Sequence, residues 1–436
     1  MEPRRSRKIV EFPIIKPEER LTNPDARIDH KRLQNIRNYN LTNETRTVKA
    51  IVAPPGLAGL GDFTDIQTAI NFVNADGGGT VFLQNGVYTL NESISLPNGV
   101  NLIGQSQGNG INITEARSLV GVVLNLNLYQ IVVQGAEPYI TGTISNTFGS
   151  SIVTGSGTSF TQSMVGQSIL INGYWRVIVQ VNSATELLAP SSYISKTVSG
   201  VDCIIASPAI NTISNLTLRR CSETGTGAIS YLYTDKIVLN SVIFFEPDLT
   251  FTIKDSSLPL FRDISVINAD AGIIINNVGG LVADNLYINS LTSSSSTGGI
   301  SITNMVHSSM SDFSIEGMFG TGITITSSSD FFLDNGFINS NAGYGIRVSS
   351  STDGSITNMI INNNSSDGIE LTGTADRFII SGCHITSNGL YGVDLTAATD
   401  DNNLIIGNIF TTNTSGAVNN TGTGTLIRSN IGQADN

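Results

Sequence analysis

Arg347, Glu370 and Asp394 occupy the same place in a short repeated phrase, and their types and spacing offer this chain's clearest chance of chemistry. The phrase is glycine, aliphatic, variable, aliphatic. The three stand at the variable place of Gly345-Ile346-Arg347-Val348, Gly368-Ile369-Glu370-Leu371 and Gly392-Val393-Asp394-Leu395. Period-2 alternation turns that place away from the buried face of a short strand, so the three side chains are expected outward from one sheet on consecutive rungs. Backbones one rung apart lie about 5 Å from each other, the separation of a carboxylate pair that retains configuration in glycoside hydrolysis. A neighbouring like charge would raise one pKa, as an acid catalyst requires. The same residues also make an ordinary surface ion row, with Arg347 beside Glu370.

The phrase recurs as Gly272-Ile273-Ile274-Ile275, Gly299-Ile300-Ser301-Ile302 and Gly322-Ile323-Thr324-Ile325, and it decays at Gly416-Ala417-Val418. Successive glycines are 27, 23, 23, 23, 24 and 24 residues apart. A fixed beat of this kind marks stacked units that bury their faces only against neighbours. Gly227-Ala228-Ile229 lies two beats before Gly272, which predicts a rung at Thr250-Phe251-Thr252-Ile253. About 13 rungs at the strand spacing would make a rod of roughly 60 Å. The predicted fold class is all-β, a parallel β-solenoid.

Two more columns keep the beat. Asp330, Asp353, Asp376 and Asp400, preceded by His307, are expected at turns, where Asp bonds the turning backbone. Stacked carboxylates could gather Ca²⁺, but turn capping accounts for them without it. Asn339, Asn362 and Ser387 form the other column. His30, His307 and His384 have neither triad nor metal spacing and are expected to be structural. No metal site and no cofactor is predicted.

The net charge of −12 is uneven. Residues 1–49 hold 12 of the 23 Lys and Arg but 7 of the 35 Asp and Glu, a balance of +5, so the remainder carries 11 minus 28, or −17. Such a body lacks the clustered cations that nucleic acid requires, and no nucleic-acid partner is expected. Residues 1–52, with prolines at 3, 13, 17 and 24 and no helical stripe, read as an extended basic arm. No apolar run follows Arg7-Lys8, so no secretory signal is predicted, and no 18-residue apolar run predicts a membrane span. Cys203, Cys221 and Cys383 are odd in number and scattered, which suits buried thiols.

Residues 53–140 carry apolar positions 66, 69, 70 and 73, helical spacing with Thr64 or Asp65 as N-cap. An amphipathic helix there would cover the exposed first rung. Residues 141–197 break the beat with short alternating strands, an inserted β module in whose core Trp175 is expected. Residues 198–436 resume the solenoid.

Asp62-Phe63-Thr64-Asp65-Ile66-Gln67-Thr68-Ala69-Ile70, with Gly77-Gly78-Gly79-Thr80-Val81-Phe82-Leu83 and Gly86-Val87-Tyr88, resembles the start of the pectate-lyase-like superfamily of right-handed parallel β-helices. Gly142-Thr143-Ile144-Ser145, Gly155-Ser156-Gly157-Thr158-Ser159-Phe160 and Ile171-Asn172-Gly173-Tyr174-Trp175-Arg176 resemble a small β module of phage and large-virus structural proteins. The superfamily includes polysaccharide lyases, glycoside hydrolases, viral tailspikes and non-catalytic virion proteins. The chain lacks the Asn-Thr-Asp, Gly-His-Gly and Arg-Ile-Lys elements of polygalacturonases, and its Asp400-Asp401 pair stands without them. The Trp-x-Asp-His signature of pectate lyases is missing too, so no catalytic residue carries over.

The resemblance therefore implies a structural, receptor-binding spike at the virion surface, similar to a tailspike or fibre. Residues 1–50 would dock it to other virion proteins, its Ser, Thr and Asn would contact host surface polysaccharide, and it would assemble as a homotrimer. The alternative left open is a polysaccharide lyase or glycoside hydrolase on the same scaffold, secreted or at a cell surface.

Overall fold

The computed structural model describes residues 48–106, 121–127, 129–190, 197–219, 227–245, 247, 249–290 and 298–432. The arm up to residue 47, His30 and Cys221 lie outside the described residues. Lys49–Asn436 form one compact unit. Its body is a right-handed parallel β-helix of about 14 turns with about 23 residues in each.

Alternation buries one face of every strand, and the coil period stacks those faces. Ile300, Ile323, Ile346, Ile369, Val393 and Val418 follow one another in parallel register. They belong to a single core that runs from Ala50 to Ile427. Each fully buried aliphatic contributes about 1.5–3 kcal/mol. Leu249–Ser257 pairs on both sides, with Ile229–Leu232 and Ala271–Gly279, where the two-beat gap places a rung.

The glycine column is set by close approach between coils. A Cβ on Gly345 would lie 2.5 Å from the Gly368 carbonyl oxygen, and one on Gly368 would lie 2.6 Å from that of Gly392. The last phrase is offset by one residue: Tyr391 pairs with Gly416 and Val393 with Val418, so Ala417 takes the place over Gly392.

The corners between strands are columns of left-handed backbone. One holds Asn215, Ser241, Asp263, Asn285, Asp312 and Asn335; another holds His307, Asp330, Asp353, Arg377 and Asn402. Asn, Asp and Gly populate this region most readily, which explains much of the chain's Asn content. The second column corrects the predicted Asp series. Thr352 bridges to Asp376, so Arg377 is the residue that stacks on Asp353, and two bonds of 2.6 Å join them. Asp400 is instead buried, accepting from Ala375 N–H and Ala397 N–H. The Asn339 and Asn362 pair holds, but it continues to Thr386, one residue before Ser387.

Beside the core runs a ladder that the sequence reading did not isolate. Asn341, Asn364 and Asn388 are buried, and each Oδ1 from Asn364 to Asn413 accepts the side-chain amide of the residue one coil earlier, at 2.9–3.0 Å. The remaining side-chain hydrogens go to Ile315, Ile338 and Ile361 carbonyls. Polar groups at this depth are stable because every coil satisfies the next.

The helix Ile66–Ala75 starts at Asp65, whose carboxylate accepts from Thr68 N–H at 2.7 Å. Ile66, Ala69, Ile70 and Val73 enter the main core. Val48–Val52, assigned above to the arm, is a strand that pairs with Gly79–Leu83.

Residues 143–206 leave the parallel pattern. Thr143–Asn146, Ile152–Ser156, Gln180–Ser183, Glu186–Leu188 and Val198–Asp202 make one antiparallel sheet. Ser168–Ile171, Tyr174–Val177 and Ile205–Ala206 make another. The pairing continues past residue 197, so Val198–Ala206 belong with this block. Its core is its own, built on Ile144, Val153, Ile169, Ile171 and Leu187, and Cys203 is buried there. Cys383 is buried in the solenoid.

Trp175 is not in the block's core. Its indole N–H donates to the Thr234 carbonyl of the solenoid at 2.9 Å. At the adjoining hairpin turn, Gly173 and Gly279 meet backbone to backbone, since a Cβ on Gly173 would lie 2.6 Å from Gly279 N.

Candidate functional site

The sheet that carries the glycine phrase places Arg347, Glu370 and Asp394 side by side, as strands Ile346–Ser349, Ile369–Thr372 and Tyr391–Leu395 pair in register. Arg347 and Glu370 form an ion pair at 2.5 Å. The guanidinium also lies 5.3 Å from the Tyr344 ring centroid, a cation–π distance. Asn419 donates to Asp394 at 2.9 Å. Glu370 departs from the outward, exposed position expected of it: it is 6% exposed, covered by its neighbours in the row.

Asp367 completes the group and was missed by sequence reasoning. It is 2% exposed and accepts from Tyr391 N–H at 2.6 Å. Burial, reinforced by Asp394 and Glu370, pushes its carboxyl up to about 6. Burial and the Glu370 charge also raise the Tyr344 phenol. The available signal was positional: Tyr344, Asp367 and Tyr391 each precede a column glycine. The arrangement lets one carboxyl keep its proton up to about pH 6 and pairs a second with a cation, the division of labour that general acid catalysis uses. Among the described residues no group of three or more His, Cys, Asp or Glu side chains is arranged to hold a metal ion.

His307 lies 3.7 Å from Asp330 and packs on the Tyr174 ring at 5.7 Å between centroids. It thus serves the junction of block and solenoid. His384 is exposed on the strand His384–Thr386.

A cleft of about 1000 Å³ lies between the block and the solenoid. Its solenoid wall is one corner column, Tyr233, Asp255, Asn277, Asn304, Ser327 and Ser350, all left-handed and all on consecutive coils. At the strand spacing this wall is about 24 Å long. The facing wall from the block carries Ile140, Leu170, Val198, Val201 and Ile204, with the Asp202 carboxylate among them. Asn172 at the hairpin tip also lines the cleft, and its buried Nδ2 has no acceptor among the described residues. Asp255 is raised by burial, with Asp202 adding to the effect and Asn277 and Lys254 opposing it. Ser350, at one end of the cleft, directly follows the strand that carries Arg347, but the cleft is not lined by Arg347, Asp367, Glu370 or Asp394.

Residues 251–410 match the family model described as right handed beta helix region. No curated protein matches the chain. Among solved structures it is similar to the Pseudomonas phage phi297 tailspike, at 11% identity over 82% of this chain and 72% of that one, with a TM-score of 0.45. It is similar to the Azotobacter vinelandii mannuronan C-5 epimerase A-module of AlgE4, at 16% identity over 83% and 94%, with a TM-score of 0.40. It is also similar to the tailspike of Acinetobacter baumannii bacteriophage AP22, solved with capsular saccharide, at 11% over 83% and 67%, with a TM-score of 0.44. No residue of this chain takes a role from these likenesses. Among the described residues no helix is long and apolar enough to cross a membrane.

Proposed function

We propose that this protein binds a surface polysaccharide along the cleft between the antiparallel block and the solenoid. The observation that carries the reading is the division of the lining: a wall with five aliphatic side chains and Asp202 faces a corner column mostly of amides and hydroxyls, with Asp255 among them. A pyranose has apolar C–H faces and a polar hydroxyl edge, so a sugar chain set lengthwise meets both walls at once. The coil repeat offers equivalent contacts along the cleft, which suits a polymer. Calorimetric titration of the full chain with host-surface glycan fragments should show binding that Asn276→Trp, a bulky side chain placed in the cleft, weakens at least about tenfold. Unchanged affinity in that variant would refute the cleft as the glycan site.

The finer reading is a receptor-binding spike of a virus particle, held to other virion proteins by residues 1–50 and assembled as a homotrimer. The arm's +5 balance against the −17 body and the virus-like pattern of the block support it. For side-by-side assembly, one flank turns Val282, Phe332, Ile379 and Leu426 outward in a shared register, each more than a third exposed. Truncation of residues 1–47, which spares the strand Val48–Val52, should abolish incorporation into particles, and sedimentation should give three times the chain mass.

The carboxylate row favours a second reading, cleavage of the same glycan, with Asp367 as proton donor beside Glu370 and Asp394. Release of shorter oligosaccharides by the purified chain, lost in Asp367→Asn and Glu370→Gln, would establish it.

A further inference from the structure

We infer that the cleft selects uncharged polysaccharide and turns away polyuronate, sialylated or sulfated chains, a selectivity that rests on the glycan reading above. Among the described residues, the charged side chains lining the cleft are Asp202, Lys254 and Asp255. Lys254, the one cation among them, is already placed 3.8 Å from the Asp255 carboxylate. Anionic sugars are held by Arg or Lys aimed at their carboxylates, and among the described residues this lining offers Lys254 alone, with Asp255 beside it. Asp202 stands at the block side and Asp255 at the solenoid side, so an acidic chain threaded between them meets like charge from both walls.

A further acidic group acts at one end of the cleft, where Glu137 acts electrostatically on Tyr233. On the strand that Ser350 follows, Arg347 is paired with Glu370. The residues beyond position 49 carry −17 in total, so the field of the body repels polyanions before contact. Neutral contacts are what the lining does provide. Asn304, Ser327, Ser350 and Asn172 present amide and hydroxyl groups at intervals along the cleft, and the Tyr233 phenol stays protonated, raised by burial and then by Asp255 and Glu137. Selection here works by repulsion, the route by which a surface rejects a partner of similar shape.

The experiment is an array of matched-length oligosaccharides, neutral ones beside oligogalacturonates, oligomannuronates and sialylated chains, probed with the full chain at low salt in EDTA. The expected result is binding to neutral members, with acidic members weaker by at least about tenfold and the gap narrowing as salt rises. Asp202→Lys, on an exposed side chain, should raise acidic-member binding several-fold relative to neutral-member binding. Acidic oligosaccharides bound as well as neutral ones, or an unaltered preference in Asp202→Lys, would overturn the inference while leaving the glycan reading standing. Absence of binding to every member would instead remove the glycan reading itself.

Discussion

In the solenoid a residue's surroundings are supplied by its own counterparts one coil away, whereas in the antiparallel block every residue meets partners of unrelated type. Asn364 illustrates the first: it accepts from Asn341 and donates to Asn388. Trp175 illustrates the second, since nothing like it recurs and its partner, the Thr234 carbonyl, belongs to a different element. Repetition gives the solenoid columns of equivalent positions along the axis, the asparagine ladder the most uniform of them. The block supplies the opposing wall that a uniform surface cannot make for itself. A cleft with one periodic wall and one singular wall is the consequence.

The contrast can be broken most forcefully in the asparagine ladder. Asn364→Ala strands the Asn341 amide and the Ile338 carbonyl in a buried site, and should cost about 4 kcal/mol. Urea unfolding would read it, and a loss below about 1 kcal/mol would mean that the coils do not depend on one another in this way. Gly345→Ala places a methyl against the Gly368 carbonyl and Ile361, and is expected to cost about 2–3 kcal/mol. A comparable change at the exposed Gly166, where a methyl meets nothing within 4 Å, is left with backbone strain alone and should cost less.

The carboxylate row sharpens the comparison through pH. The Asp367 carboxyl is raised to about 6 in the folded protein, so the folded state holds a proton that the unfolded chain releases near pH 4. That contribution is fully present below about pH 4 and is lost as pH climbs through about 6, on the order of 2 kcal/mol in all. Asp367→Asn should flatten this part of the stability profile measured by thermal melting. An unaltered slope would show that the row is solvated.

The smallest expected effect belongs to the joint. Trp175→Phe removes one hydrogen bond to the solenoid and should cost about 1 kcal/mol. Glycan affinity should fall more than stability does, because the block's placement forms the cleft. Equal losses in both would argue that the joint acts only on folding.

Much of the solenoid was legible because its causes are local and repeated. The glycine beat fixed which strands stack, and alternation fixed which residues face the core. Slips of one residue escaped it: Ala417 stands where Gly416 was expected, and Arg377 stands on Asp353 where Asp376 was expected. Counting along a chain cannot register a one-residue change in corner length, while backbone pairing does so at once. In the candidate site the row of Arg347, Glu370 and Asp394 followed from the phrase, but Asp367 did not, because its importance comes from burial.

The sequence by itself determined the coil period, the core face and the adjacency of the three charged residues, all consequences of spacing along one repeating strand. Tertiary structure alone decided that Glu370 and Asp367 are covered, that Trp175 reaches across to Thr234, and that a polar corner faces a mostly aliphatic wall. Those facts depend on where a non-repeating segment folds back upon a repeating one, and no periodicity in the chain encodes that distance.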